Sequence, residues 1–268
     1  MDFTIKKYRQ LLISLQKEGY EFITFEAYCL GKRRPKFVIL RHDVDEMAGN
    51  ALKIAEVESQ LGIISTFFFR IVKQSNKPEV IREIINMGHQ IGYHYEDLAT
   101  TNGDKELAYA NFQKNLAYFR EFAPIKTICM HGSSTSEFDN RSLWKTYDYR
   151  DDGIVGEPYF SIDFNEVFYL TDTGYCWDGY KTAVRDTAPN NFNLSFHTTD
   201  DIIQAITEGK LPAQVMILAH TLWTDNLLKW LFVFFREKIR NSIKRASRNN
   251  AFVKKIYSGL VKLYWKND

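Results

Sequence analysis

Asp43 and Asp45 stand two residues apart beside Arg41 and His42, directly after the apolar run Phe37-Val38-Ile39-Leu40. On an extended chain, residues i and i+2 face the same side, so the two carboxylates can share one cation. Leaving such groups unpartnered inside a strand costs free energy. An apolar run that breaks into ionisable residues therefore reads as a strand leaving the core and delivering chemistry at its end. A lone Asp-x-Asp is also common in surface loops, and its place after a buried strand is what distinguishes this one.

The same arrangement recurs along the chain. Arg70 follows Thr66-Phe67-Phe68-Phe69, and Asp172 closes a run at 166–171. His94, Glu96 and Asp97 follow Gln90-Ile91-Gly92-Tyr93, His131 follows 126–130, and His220 follows Val215-Met216-Ile217-Leu218-Ala219. Four of the six histidines (His42, His94, His131 and His220) occupy such ends. His94 with Asp45 and a third nitrogen or oxygen donor makes a site suited to Zn²⁺ or another divalent ion. Glu96 and Asp97 are nearby donors, and equally a solvated loop or a helix cap. His220 is placed as a catalytic acid or base needs to be, or as a buried imidazole bonded to backbone. His89, at the start of its run, reads as structural. Trp177, Asp178 and Arg185 lie in an aromatic segment that, with Tyr93, Tyr95, Trp144 and Trp223, can form sugar-stacking walls or ordinary packing.

The elements that must carry these residues follow from hydrophobic periodicity. Helices are expected over 3–19, 48–61, 78–87, 104–122 and 200–207, the last capped by Thr199. Strands are expected over 37–42, 66–70, 90–94, 126–130 and 215–219, with short ones at 153–156 and 166–171. Residues 21–30 form a connector of strand or short-helix character. Strand, charge and helix in alternation is the pattern of a parallel α/β sheet or barrel, whose sites lie at the C-terminal strand ends.

Bulk properties agree. The 268 residues are 45% hydrophobic and 15% aromatic, enough for a sizeable core. A net charge of +2 implies no nucleic-acid partner, but residues 229–268 carry seven Lys and four Arg against Glu237 and Asp268, a net +9. Three widely spaced cysteines fit reduced thiols in a cytosol. No signal peptide and no spanning segment is expected.

Taken together, Asp43-Val44-Asp45, Ser65-Thr66-Phe67-Phe68, Gly88-His89-Gln90-Ile91-Gly92-Tyr93-His94 and the late strand ending in His220 resemble the polysaccharide deacetylase (NodB-homology, carbohydrate esterase) family over about residues 35–225. The Arg-His-Asp-Val-Asp and Tyr-His-Tyr-Glu motifs are similar to those of members in surface-polysaccharide (O-antigen or capsule) gene clusters. The resemblance implies a deformed (β/α) barrel of about seven parallel strands, assigned to 1–226, and the residues beyond it read as a basic amphipathic helical C-terminal extension over 227–268. The resemblance also implies metal-dependent removal of an acetyl group from a sugar, with Asp43 as base, His220 as acid, and Asp45 and His94 as metal ligands. Leu98 stands where the family has its second metal histidine. His131 is favoured as the third ligand, with Glu96 and Asp97 as alternatives. Substrate contacts are assigned to Arg70, Tyr93, Glu96, Trp177, Asp178 and Arg185.

Two other functions remain open at this level. Asp43-Val44-Asp45 can serve a metal-dependent glycosyltransferase, or the fold can be a non-catalytic carbohydrate-binding protein. The expected partner is an acetylated sugar or a lipid-linked or nucleotide-linked glycan precursor. The tail, apolar over 227–235 and basic beyond, reads as a pair of amphipathic helices attracted to anionic lipid, or as a helical hairpin packed on the barrel. The corresponding location is cytoplasmic, peripheral at the inner face of the membrane.

Overall fold

The structure, a computed structural model, describes residues 1–132, 136–177, 188 and 191–249, the side chains of 247–249 excepted. Its centre is strand β2 (Phe37–Val44), buried along all eight residues. Six further strands run parallel to it: β1 (Glu21–Ile23), β3 (Thr66–Phe69), β4 (Gln90–Tyr95), β5 (Ile128–Met130), β6 (Phe168–Thr171) and β7 (Gln214–Leu218). The sheet order is β5-β4-β3-β2-β7-β6, with β1 added beside the first half of β2. The strands curl into a half-barrel wrapped by helices, the expected deformed (β/α) barrel.

The helices are α1 (Ile5–Lys17), α2 (Phe25–Cys29), α3 (Ala48–Gln60), α4 (Pro78–Asn86), α5 (Asp97–Thr100), α6 (Lys105–Arg120), α7 (Pro158–Ser161), α8 (Thr199–Thr207) and α9 (Leu227–Asn249). Their starts follow local capping chemistry. Thr4 caps α1, accepting from the Lys7 amide, and Asp104 caps α6 through the Leu107 amide. A reciprocal capping box between Thr198 and Asp201 starts α8, so Thr198 caps this helix and the expected Thr199 is its first residue. The connector at 21–30 resolves into β1 and α2. The strand expected at 153–156 is reduced to one isolated bridge, Thr127 with Gly156.

Alternation along the strands sorts side chains into two layers. Val38, Leu40, Phe67, Phe69, Ile91, Tyr93 and Ile128 pack outward under the helices. Phe37, Ile39, Phe68, Cys129, Met216 and Leu218 fill the interior of the half-barrel. The Gly-His-x-Ile-Gly-x-His segment is physically explained by this layering. Gly88 ends α4 with φ 90°, a left-handed turn that suits glycine. His89 is buried, accepting from the Ser65 amide and facing the Ala55 carbonyl at 3.0 Å. Gly92 leaves room for the Phe68 ring, which a Cβ would meet at 2.4 Å.

Candidate active site

The registers run Val44 beside Phe69, Phe69 beside Tyr93 and Tyr93 beside Ile128. One step further along, Asp45, Arg70, His94 and Cys129 stand side by side near the C-terminal ends of four adjacent strands. Because Asp43, Asp45, Arg70, His94, Glu96 and His131 share the phase of the interior layer, they converge inside the half-barrel. His42 and Tyr93 have the opposite phase. His42 is buried beneath the helices, with Nε2 2.7 Å from Glu58 Oε1 and Nδ1 3.0 Å from the Ala219 carbonyl. Although it lies in the same strand, it takes no part in the site.

Asp45, His94 and His131 form the centre of the cluster. His131 Nδ1 lies 3.0 Å from Asp45 Oδ1 and 3.2 Å from His94 Nε2, and His94 Nε2 lies 3.3 Å from Asp45 Oδ1. His94 Nδ1 faces the Cys129 carbonyl at 3.0 Å. It must carry the proton to donate there, which leaves the Nε2 lone pair of the neutral ring aimed into the cluster. His131 is held by its amide, which donates to the Tyr95 carbonyl at 2.9 Å, and by Asn140 Nδ2, which donates to the His131 carbonyl at 2.8 Å. Burial and the nearby Arg70 guanidinium lower the His131 pKa against the pull of Asp45, which favours the neutral ring. Burial disfavours the Asp45 carboxylate, but His131 and His94 outweigh it and hold its pKa well below the usual range.

Three electron-pair donors thus face one another, and buried Asp45 Oδ1 accepts no well-formed hydrogen bond. Zinc–ligand bonds of about 2.0–2.1 Å at tetrahedral angles place neighbouring ligand atoms about 3.3 Å apart. The observed 3.0–3.3 Å edges fit that figure. The residues therefore suit a small divalent cation. A second grouping, Asp43, His94 and Cys129, shares His94 but is wholly buried, whereas Asp45 and His131 are partly open to solvent.

Asp43 lies behind this cluster. Arg41 forks onto it, Nε to Oδ1 at 2.8 Å and Nη2 to Oδ2 at 2.6 Å, and Asp43 Oδ2 is 3.5 Å from His94 Nε2. On the other side His220 Nε2 approaches Asp45 Oδ2 at 4.0 Å. His220 Nδ1 lies 2.6 Å from Asp172 Oδ1, and Trp223 Nε1 donates to Asp172 Oδ2 at 2.7 Å. Burial works against the imidazolium, yet the Asp172 carboxylate carries the His220 pKa up to about 10. His220 is accordingly a charged acid at neutral pH. Asp172 is recognisable in sequence as a strand-end carboxylate, but its partnership with a residue 48 positions away has no sequence signal.

The loop after Asp45 is also fastened. Met47, at φ 55°, occupies the left-handed region, which costs a non-glycine residue about 1–3 kcal/mol. Thr221 Oγ1 donates to the Glu46 carbonyl at 2.5 Å, and Arg236 of α9 forks onto the Glu46 carboxylate.

The remaining expected site residues are engaged otherwise or lie away from the cluster. Glu96 is taken by Arg70, whose Nε and Nη2 donate to it at 2.9 and 2.8 Å. Asp97, pushed up to about 7 by burial, accepts from Tyr93 and Asn115. Neither carboxylate belongs to either ligand group. Leu98 is buried in the core. Tyr93, Tyr95 and Trp223 are fully enclosed, and Trp177 packs on Phe3 and Trp223 while donating to Thr199 Oγ1. These four rings are core and form no exposed wall for a sugar, because the helices cover their side of the sheet and the first turn of the chain covers Trp177. Asp178 and Arg185 lie outside the described residues.

Solved structures that this fold resembles include family 4 carbohydrate esterases. A wild-type pseudoenzyme of that family from Bacillus anthracis is similar with a TM-score of 0.45 and 13% identity, over 77% of this chain and 63% of its own. An esterase from Bacillus subtilis has a TM-score of 0.42 at 16% identity, over 86% of this chain and 84% of its own. One from Streptococcus mutans has 0.42 at 17% identity, over 87% and 90%. The chain spans just under two thirds of the length of the B. anthracis protein. The sequence matches no family model and no curated relative.

Proposed function

We propose that the chain is a divalent-metal-dependent carbohydrate deacetylase acting in the assembly of a surface polysaccharide. The observation that carries this reading is the convergence of Asp45, His94 and His131 at 3.0–3.3 Å, with His220 and Asp172 on the opposite side. Asp45, His94 and His131 would hold the ion, for which their carboxylate and imidazole donors suit zinc. A bound ion of this kind polarises an acyl oxygen and lowers the pKa of water.

The chain's own groups supply the proton transfers. Asp43, oriented by Arg41, accepts the proton of the attacking water. His220, charged and steered by Asp172, delivers a proton to the departing amine or alcohol of the sugar. Asp43 and His220 border the Asp45–His94–His131 cluster at different ligands, 3.5 Å from His94 and 4.0 Å from Asp45 respectively, so a base and a separate acid are both at hand, as acyl hydrolysis needs. The motif resemblance to polysaccharide deacetylases supports the same chemistry, and three widely spaced cysteines with no Cys-x-x-Cys fit a location on the cytoplasmic side of the membrane.

The test is acetate release from N- and O-acetylated sugars, free, nucleotide-linked and lipid-linked, by the metal-loaded protein. Release that stops with chelator and with Asp45→Ala supports the reading. Metal content and release that both survive Asp45→Ala and His94→Ala sink it. Transfer from a nucleotide sugar without acetate release identifies a glycosyltransferase instead.

A further inference from the structure

We propose that the outward face of α9 is an interfacial docking surface for a bilayer containing anionic lipid. The helix has two unlike faces. Val233, Glu237 and Asn241 are buried. Asn241 Nδ2 donates to the Gly174 carbonyl at 2.7 Å, and Trp230 Nε1 donates to the Asp2 carbonyl at 2.7 Å. With the Arg236 fork onto Glu46, these contacts clamp one side of the helix against the barrel.

The other side is apolar and open. Leu228, Phe232, Phe235 and Ile239, spaced by four, three and four residues, are 77%, 60%, 59% and 61% exposed, with Leu227 and Leu231 beside them. At about 100° per residue, the four form a strip about 60° wide, and the cations lie about 70–110° to either side of it. Lys229 flanks one edge and Lys238 and Arg245 the other, while Arg236 and Arg240, on the Lys229 side, are turned inward onto Glu46 and Glu237. Lys238 Nζ sits 4.4 Å over the Phe234 ring, which keeps this exposed cation against the apolar surface beside the strip. Glu237, the only acidic residue of α9, is on the buried side.

A central apolar strip with cations along both edges is the pattern of a helix lying in the headgroup plane. It complements anionic headgroups, which attract lysine and arginine close to the surface. A second copy of the chain is the poorer match, because facing strips bring like charges together with no carboxylate on that face to pair them. No helix among the described residues is long and apolar enough to cross a membrane, so the helix lies on the bilayer. Because its inner face grips Glu46, the residue after Asp45, the docked membrane borders the site. In combination with the deacetylase reading, on which this clause rests, the substrate is a sugar carried on a lipid.

The experiment is co-sedimentation of the full chain with phosphatidylcholine vesicles, with and without phosphatidylglycerol, at low and high salt. Binding is expected only with phosphatidylglycerol and is expected to weaken with salt. It should fall at least about tenfold in Phe232→Ser/Phe235→Ser and in Lys229→Glu/Lys238→Glu. These residues are exposed, and circular dichroism verifies that the variants fold. No binding by the wild type, or equal binding by the variants, overturns the proposal. So does a concentration-dependent dimer that is abolished by Phe232→Ser/Phe235→Ser. Acetate release from a soluble acetylated sugar is read separately and is expected to be unchanged in both variants, so failure of the membrane inference is distinguishable from failure of the deacetylase reading.

Discussion

Asp172 grips His220 at both ring and backbone: its carboxylate lies 2.6 Å from Nδ1 and accepts the His220 amide at 2.9 and 3.0 Å. The second carboxylate oxygen is anchored by Trp223 Nε1. The imidazole is therefore fixed in orientation and held charged, its pKa at about 10. Asp172→Asn removes the countercharge while keeping the shape. Acetate release is expected to fall by about 10²–10⁴-fold, the usual contribution of a positioned acid. The alkaline limb of the pH–rate profile is expected to move to lower pH, since His220 then loses its proton nearer its ordinary pKa. An unchanged alkaline limb would show that His220 is not the acid.

The same pair sets a dependence of stability on pH. A histidine whose pKa is raised by folding contributes stability that is complete below its unfolded pKa of about 6.5 and is lost as pH rises through the folded value. For His220 that window ends near the value of about 10. Denaturant titrations of the metal-free protein should show stability falling across this window in the wild type and a flatter profile in Asp172→Asn.

His131 and Leu98 make opposite predictions about metal. His131→Ala removes one of three converging donors and is expected to lower affinity for Zn²⁺ by well over tenfold, read by metal titration and by metal content after dialysis. Leu98→His places a histidine at the position the motif comparison points to. Leu98 is buried among apolar side chains, so the new imidazole meets core packing and not the cluster. The expected result is no gain in metal affinity and a loss of about 1–3 kcal/mol in stability from an unpaired buried polar group. A gain in affinity would show that α5 can turn this side chain to the site.

Gly92→Ala tests why the second motif contains its glycine. The added Cβ would meet the Phe68 ring at 2.4 Å and the Thr127 carbonyl oxygen at 2.8 Å. The ring and the backbone on either side leave little room to relax, and overpacking of this kind typically costs about 1–3 kcal/mol. A lowered melting temperature with weaker metal binding is expected, because His94 is two residues along the same strand. A melting temperature equal to that of the wild type would show that Phe68 can move aside.

Asp43→Asn separates proton acceptance from metal holding. The amide retains the shape beside Arg41 but is a far weaker base. Acetate release should drop by about 10²–10⁴-fold while bound metal stays near the wild-type amount. Loss of metal together with activity would instead place Asp43 among the ligands.

The chain's own pattern determined the local part of this site. Buried runs that end in Asp43, Asp45, His94, His131 and His220 marked the strand ends, and the period of two placed Asp43 and Asp45 on one face, because strand phase is a property of consecutive residues. That same period already separates His42 and Tyr93 from their neighbours. What tertiary structure decided is which distant residues meet. Inter-strand register put His131 beside His94 and gave Glu96 to Arg70, the β6–β7 pairing brought Asp172 to His220, and the docking of α9 brought Arg236 to Glu46. Helix cover, likewise, turned Tyr93 and Leu98 into core. These outcomes depend on how separate elements pack and pair, and no spacing along the chain encodes a distance across a sheet.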